Sequence, residues 1–161
     1  MSDTHDQQPG RPRSTSPADA AAIAQLLHDF NTEFDTPSPG VEVLAMRLRR
    51  LLAGEDTVAI VAGTPAVGVA LVTLRSNVWY AGRVALLDEL YVVPRLRSQG
   101  IGSAIIDELL SISRERGVAL VEINVDEGDI DAQRFYERHG FASTEPGSAE
   151  RALYYSQELG S

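Results

Sequence analysis

Two glycines one residue apart stand in the stretch Arg97-Ser98-Gln99-Gly100-Ile101-Gly102-Ser103, which follows a β-branched apolar run and leads straight into an amphipathic segment. Glycine removes the Cβ and lets a backbone N–H approach a ligand closely. The start of a helix adds unpaired N–H groups and a partial positive charge. Together they suit an anion, phosphate above all. Just upstream, Leu86 to Val92 reads Leu-Leu-Asp-Glu-Leu-Tyr-Val and offers two adjacent carboxylates, Asp88 and Glu89. A carboxylate in a cleft can take a proton from a reacting group. Side chains alternate across a strand, so only one of the two is expected to face a cleft.

Three phosphate-binding patterns compete for Arg97 to Ser103. A P-loop needs a lysine followed by Ser or Thr after its last glycine, and Ile101-Gly102-Ser103 has none. A dinucleotide fingerprint needs a third Gly or Ala in the first β-α-β unit of a domain, whereas this motif lies past the midpoint of the chain. What remains is Arg-x-x-Gly-x-Gly between a strand and a helix.

On these residues the chain resembles the GNAT superfamily of acetyl-CoA-dependent N-acetyltransferases. Arg97 to Gly102 matches that family's pyrophosphate pattern, Leu90 to Pro94 matches its strand-and-proline lead-in, and Ala132 to Phe141 (Ala-Gln-Arg-Phe-Tyr-Glu-Arg-His-Gly-Phe) resembles its second hallmark. The resemblance implies a mixed α/β fold: a central twisted sheet of roughly six or seven strands, splayed at the cofactor and flanked by about four helices. It implies that backbone N–H groups of Ser98, Gln99, Gly100, Ile101, Gly102 and Ser103 wrap the coenzyme A diphosphate, with Arg97 adding charge or bracing the loop. Free backbone groups of Leu90, Tyr91 and Val92 would pair with the pantetheine arm, the N–H of Val92 or its neighbour meeting the oxyanion. Ala132 and Phe135 fall in the cofactor-binding set, and Tyr136 becomes the proton donor to the departing thiolate. Asp88 ranks first as base, since some polyamine and aminoglycoside enzymes of the family use the matching position; Glu89 ranks close behind. Many members carry Asn where this chain has Asp129, which puts the pantetheine contact of that side chain in question.

The elements that must position these residues follow from periodicity. Ser16-Pro17 opens a helix whose Ile23, Leu26, Leu27 and Phe30 share a face, and Thr36 to Gly40 breaks it. A second helix carries Arg47, Arg49 and Arg50 on a solvated face. Thr57–Ala62, Ala66–Trp79 and Val84–Val93 read as consecutive antiparallel strands, Arg11–Thr15 as a weak first strand. A helix after Gly102, a strand over 118–125, a short helix closed by Gly140 and a last strand over 152–159 complete the order. Residues 1–10 are polar and aperiodic and are expected to be disordered, leaving 11–161 as a single catalytic domain.

Composition narrows the partners. The chain has no cysteine, so disulfides, thiolate metal sites and cysteine nucleophiles are excluded. His5, His28 and His139 lack metal-ligand spacing, and no metal is expected. A net charge of −9 argues against nucleic acid and is compatible with a cationic acceptor. No apolar run is long enough for a membrane span and no signal pattern opens the chain, so a cytoplasmic enzyme is expected. Trp79 and Tyr80 at a hairpin tip read as packing or homodimer residues. The expected acceptor is a small amine of polyamine or aminoglycoside character. The alternatives are a peptide or protein N-terminal or lysine acceptor, or a non-catalytic acyl-CoA-binding domain.

Overall fold

The computed structural model describes residues 10–160. The expectation of disorder over 1–10 lies, but for Gly10, outside the described residues. The chain forms two compact units, a larger one ending at Ile123 and a smaller one beginning at Asn124.

The larger unit is built on a five-stranded sheet in sequential order: β1 (Arg13–Ser14), β2 (Thr57–Ala62), β3 (Gly68–Arg75), β4 (Val84–Val92) and β5 (Leu120–Ile123). The first four pair antiparallel, and β4 pairs parallel with β5 through the crossover helix α3 (Ile101–Glu115). Helices α1 (Ala20–Glu33) and α2 (Val41–Ala53) cover one face, where Ile23, Leu26 and Leu48 pack on Ala59, Val61, Val69 and Tyr91. The opposite pleat, with Ile60, Ala70, Val72 and Leu87, is also buried. Continuous β-branched runs rather than polar alternation are what a sheet covered on both faces requires.

Gly68 shows how close α3 comes. A Cβ there would stand 2.9 Å from Ile105 Cδ1 and 3.3 Å from Ile101 Cγ2. Ile105 is fully buried and Ile101 is the first residue of α3. The bare backbone of β3 therefore sets how closely the helix that starts at the glycine loop sits on the sheet.

The smaller unit contains α4 (Ile130–Arg138) and an isolated bridge between Thr144 and Arg151. The last strand expected over 152–159 does not form; Leu153, Tyr154, Tyr155 and Leu159 are 71%, 72%, 84% and 89% exposed. An apolar and aromatic run permits a strand, but only a partner edge makes one. Among the described residues, five strands thus stand where six or seven were expected, while the four helices agree.

Gly68→Val should destabilise the protein by roughly 1–3 kcal/mol through overpacking against Ile101 and Ile105. Thermal unfolding beside the wild type checks this; an unchanged Tm would mean that α3 can retreat without penalty.

Candidate active site

Between β4 and α3 the chain makes a one-turn 3₁₀ segment at Pro94–Leu96, extends at Arg97, and then takes two left-handed residues. Gly100 has φ +84° and Ser98 has φ +63°. Gly100 caps α3, and a Cβ on it would meet no protein atom within 4 Å, so open space lies over the turn. Among the described residues, no backbone N–H from Ser98 to Gly102 bonds to another backbone group, whereas Ala104, inside the helix, donates to the Gly100 carbonyl at 3.0 Å. Successive amides at a helix start are groups suited to an anion. A cavity of about 160 Å³ opens there, lined by Gln99, Gly100, Ile101 and Ala104 with Gly10, Pro12 and Ala62. Sequence reasoning found the glycines but not the β2 and N-terminal residues of this wall.

The backbone of β4 is asymmetric. Pairing with β5 covers only Val84 to Leu87, while pairing with β3 runs on to Val92. From Asp88 onward, one edge of β4 has no strand partner among the described residues. Leu90, Tyr91 and Val92, the residues expected to offer backbone groups, lie on this stretch, where alternate residues turn those groups toward β3. One group on it is engaged: the Val92 carbonyl accepts from Arg97 Nε at 3.0 Å.

Arg97 braces rather than projects. Its two terminal nitrogens donate to both oxygens of Glu33, at 2.8 and 2.9 Å, and its guanidinium lies 5.5 Å from the centre of the Tyr91 ring. All three of its guanidinium nitrogens are thus engaged with protein groups. Glu33 was not found from sequence, being 64 residues away.

The two carboxylates of β4 lie on one face, contrary to the alternation expected. The register skips a residue: Leu71 faces Glu89 and Val72 faces Leu87, so Asp88 is the extra residue of a β-bulge. A bulge sets two residues against one and re-aims a side chain. Asp88 Oδ2 consequently accepts from Thr73 Oγ1 at 2.5 Å, on the side where Glu89 stands opposite Leu71. Asp88 is exposed and Glu89 half-buried. Burial first, and then the charge of Asp88, push the Glu89 carboxyl above the ordinary glutamate range.

In the smaller unit, Asp129 is the N-cap of α4, its carboxylate accepting from the Ala132 N–H at 3.0 Å. A capping role explains an acid at this position. Ala132, Phe135 and Tyr136 follow on the helix; Tyr136 stands edge-on to Phe135 at 5.1 Å and to Phe141 at 5.7 Å between ring centres. Gly140, with φ +87°, reverses the chain so that the Phe141 N–H reaches the Tyr136 carbonyl at 3.1 Å.

The sequence profile of the acetyltransferase (GNAT) family matches residues 21–141. The chain belongs to the GNAT family. As a GNAT protein it is an N-acetyltransferase, and the family uses acetyl-CoA as co-substrate. A crystal structure from Arthrobacter sp. FB24, of a protein named provisionally as an acetyltransferase, is 56% identical with a TM-score of 0.87, over 92% of this chain and 95% of that one. The aminoglycoside N(6')-acetyltransferase type 1 of Stenotrophomonas maltophilia is 29% identical over 150 residues, covering 91% of this chain and 92% of the relative. The fold is shared with an aminoglycoside acetyltransferase from an uncultured soil metagenomic sample, in complex with sisomicin, at 22% identity and a TM-score of 0.74, over 92% of this chain and 95% of that one. Matches to two further curated relatives span 27% and 49% of those proteins.

The raised Glu89 carboxyl has a signed consequence for stability. A group protonated more readily in the folded state favours folding below its unfolded pKa, and that contribution is lost as pH rises through its folded pKa. Gln resembles the protonated form. Glu89→Gln should therefore raise Tm at neutral pH, with the gain vanishing as pH falls below the ordinary glutamate value of about 4.3. Paired melting curves across this range test the sign.

Proposed function

We propose that this GNAT enzyme transfers the acetyl group of acetyl-CoA to a small cationic amine of aminoglycoside or polyamine character, by direct attack in a ternary complex. The observation that carries this reading is the bulge that puts Asp88 and Glu89 on one face. Two carboxylates side by side attract an ammonium group, and the half-buried one is tuned to take its proton. The Stenotrophomonas relative, matched over nearly its whole length, supports the acceptor class.

Two features of this chain support the co-substrate reading: among the described residues the amides from Ser98 to Gly102 have no backbone partner, which suits a diphosphate, and one edge of β4 has no strand partner, which suits an amide-bearing arm. Bound acetyl-CoA supplies an acetyl group activated as a thioester. Glu89 accepts a proton from the substrate ammonium, leaving the neutral amine whose lone pair forms the new C–N bond. Asp88, held by Thr73, orients the amine and keeps Glu89 basic. The N–H at Val92 or its neighbour is assigned to the developing oxyanion. Tyr136, in the smaller unit, is assigned the proton that the departing sulfur needs as the C–S bond breaks; the acylated nitrogen sheds its remaining extra proton to solvent, from which the phenol is restored. Asp88 is exposed and already bonded to Thr73, so Glu89, ranked second from sequence, is preferred as the base.

Coenzyme A release should be followed with acetyl-CoA over a panel of amino sugars, polyamines and neutral peptides, at low and high ionic strength. The amino sugars or polyamines should give the highest kcat/KM, and theirs should fall most steeply with salt. Preference for peptides without salt dependence would favour a protein N-acetyltransferase; no turnover with any amine would favour an acyl-CoA-binding module.

With the best amine, Glu89→Gln and Tyr136→Phe should each lower kcat about 10²-fold while the fold is kept. Unchanged turnover in either variant removes that residue from the mechanism.

A further inference from the structure

Glu33 is the last residue of α1, where a negative charge opposes the helix dipole. The helix alone gives no reason for an acid there. What surrounds the carboxylate does: both terminal nitrogens of Arg97 bind it as a fork, at 2.8 and 2.9 Å. This donor is the first residue of the glycine loop, and its guanidinium also lies 5.5 Å from the centre of the Tyr91 ring at the end of β4. Arg97 Nε then closes back on the Val92 carbonyl at 3.0 Å, spanning the turn Val93–Leu96. The residue after Arg97 is Ser98, a non-glycine residue at φ +63°. A conformation of that kind persists only where the surroundings over-determine it.

We propose that Glu33 is a positioning residue for the cofactor loop: through Arg97 it fixes where the amides of Ser98 to Gly102 point, and so sets the affinity for the diphosphate of acetyl-CoA. The inference rests on the diphosphate reading of that loop. The fork is what makes it work. A planar guanidinium held at both oxygens has its orientation set, which an isolated surface ion pair would not achieve. Because Arg97 is turned toward Glu33, its part in binding is geometric, with the contact to phosphate left to backbone amides.

The test uses the full chain with Glu33→Gln, which keeps the size of the side chain and removes the charge. The KM and the calorimetric Kd for acetyl-CoA should rise roughly three- to tenfold with kcat at saturation unchanged, a range set by charge-assisted bidentate bonds. The kcat/KM for S-acetylpantetheine, which lacks the diphosphate, should not change. Arg97→Ala should weaken acetyl-CoA similarly, and adding Glu33→Gln to it should cost nothing more, since both act through one contact. Acetyl-CoA binding that is unchanged or tighter in Glu33→Gln would overturn the proposal, as would an equal loss for S-acetylpantetheine or additive losses in the double variant. Wild-type protein that binds acetyl-CoA no better than S-acetylpantetheine would overturn the diphosphate reading itself, and the two failures are thereby told apart.

Discussion

A central strand that keeps one neighbour and loses the other leaves a row of backbone donors and acceptors that must be satisfied by something. β4 does this at Leu87, where its parallel pairing with β5 stops while its antiparallel pairing with β3 continues to Val92. The site in the larger unit depends on that asymmetry. The freed edge lies beside the glycine loop, which itself carries amides without backbone partners. Backbone groups without backbone partners thus gather along one strand end and one helix start, where a ligand or water can meet them.

The same strand carries the bulge, and a single extra residue there changes the chemistry available. Without it Asp88 and Glu89 would project to opposite faces, one toward α3 and one toward α1 and α2. With it they share a face, and the exposed acid raises the pKa of the half-buried one. An acid raised in this way costs stability at neutral pH, where it is held charged. Thr73 on the neighbouring strand keeps the arrangement in place by bonding Asp88.

Support for the loop comes from both sides of the sheet. Below, Gly68 lets α3 settle against β3, with Ile101 and Ile105 filling the space that a side chain would need. Above, α1 is anchored by Ile23 and Leu26 in the core and ends at Glu33, beside Arg97. The loop is therefore gripped at the root of its helix and at its first residue, while the amides between stay open.

Local chemistry made much of this legible. Gly100 at φ +84° could be anticipated from its place before an amphipathic helix, because few other residues adopt that backbone. Four helices and the strands β2 to β5 follow from apolar periodicity, and the family from two motifs in order. Three features were not legible, for one shared reason. The bulge at Asp88 exists only relative to β3. The Glu33–Arg97 fork joins residues 64 apart. The stretch 152–159 opens with an apolar, aromatic run suited to a strand but finds no edge to pair with among the described residues. Each depends on which remote segment stands opposite. A sequence states what its residues can do locally; pairing register and long-range contact are decided only when the sheet assembles and the helices pack on it.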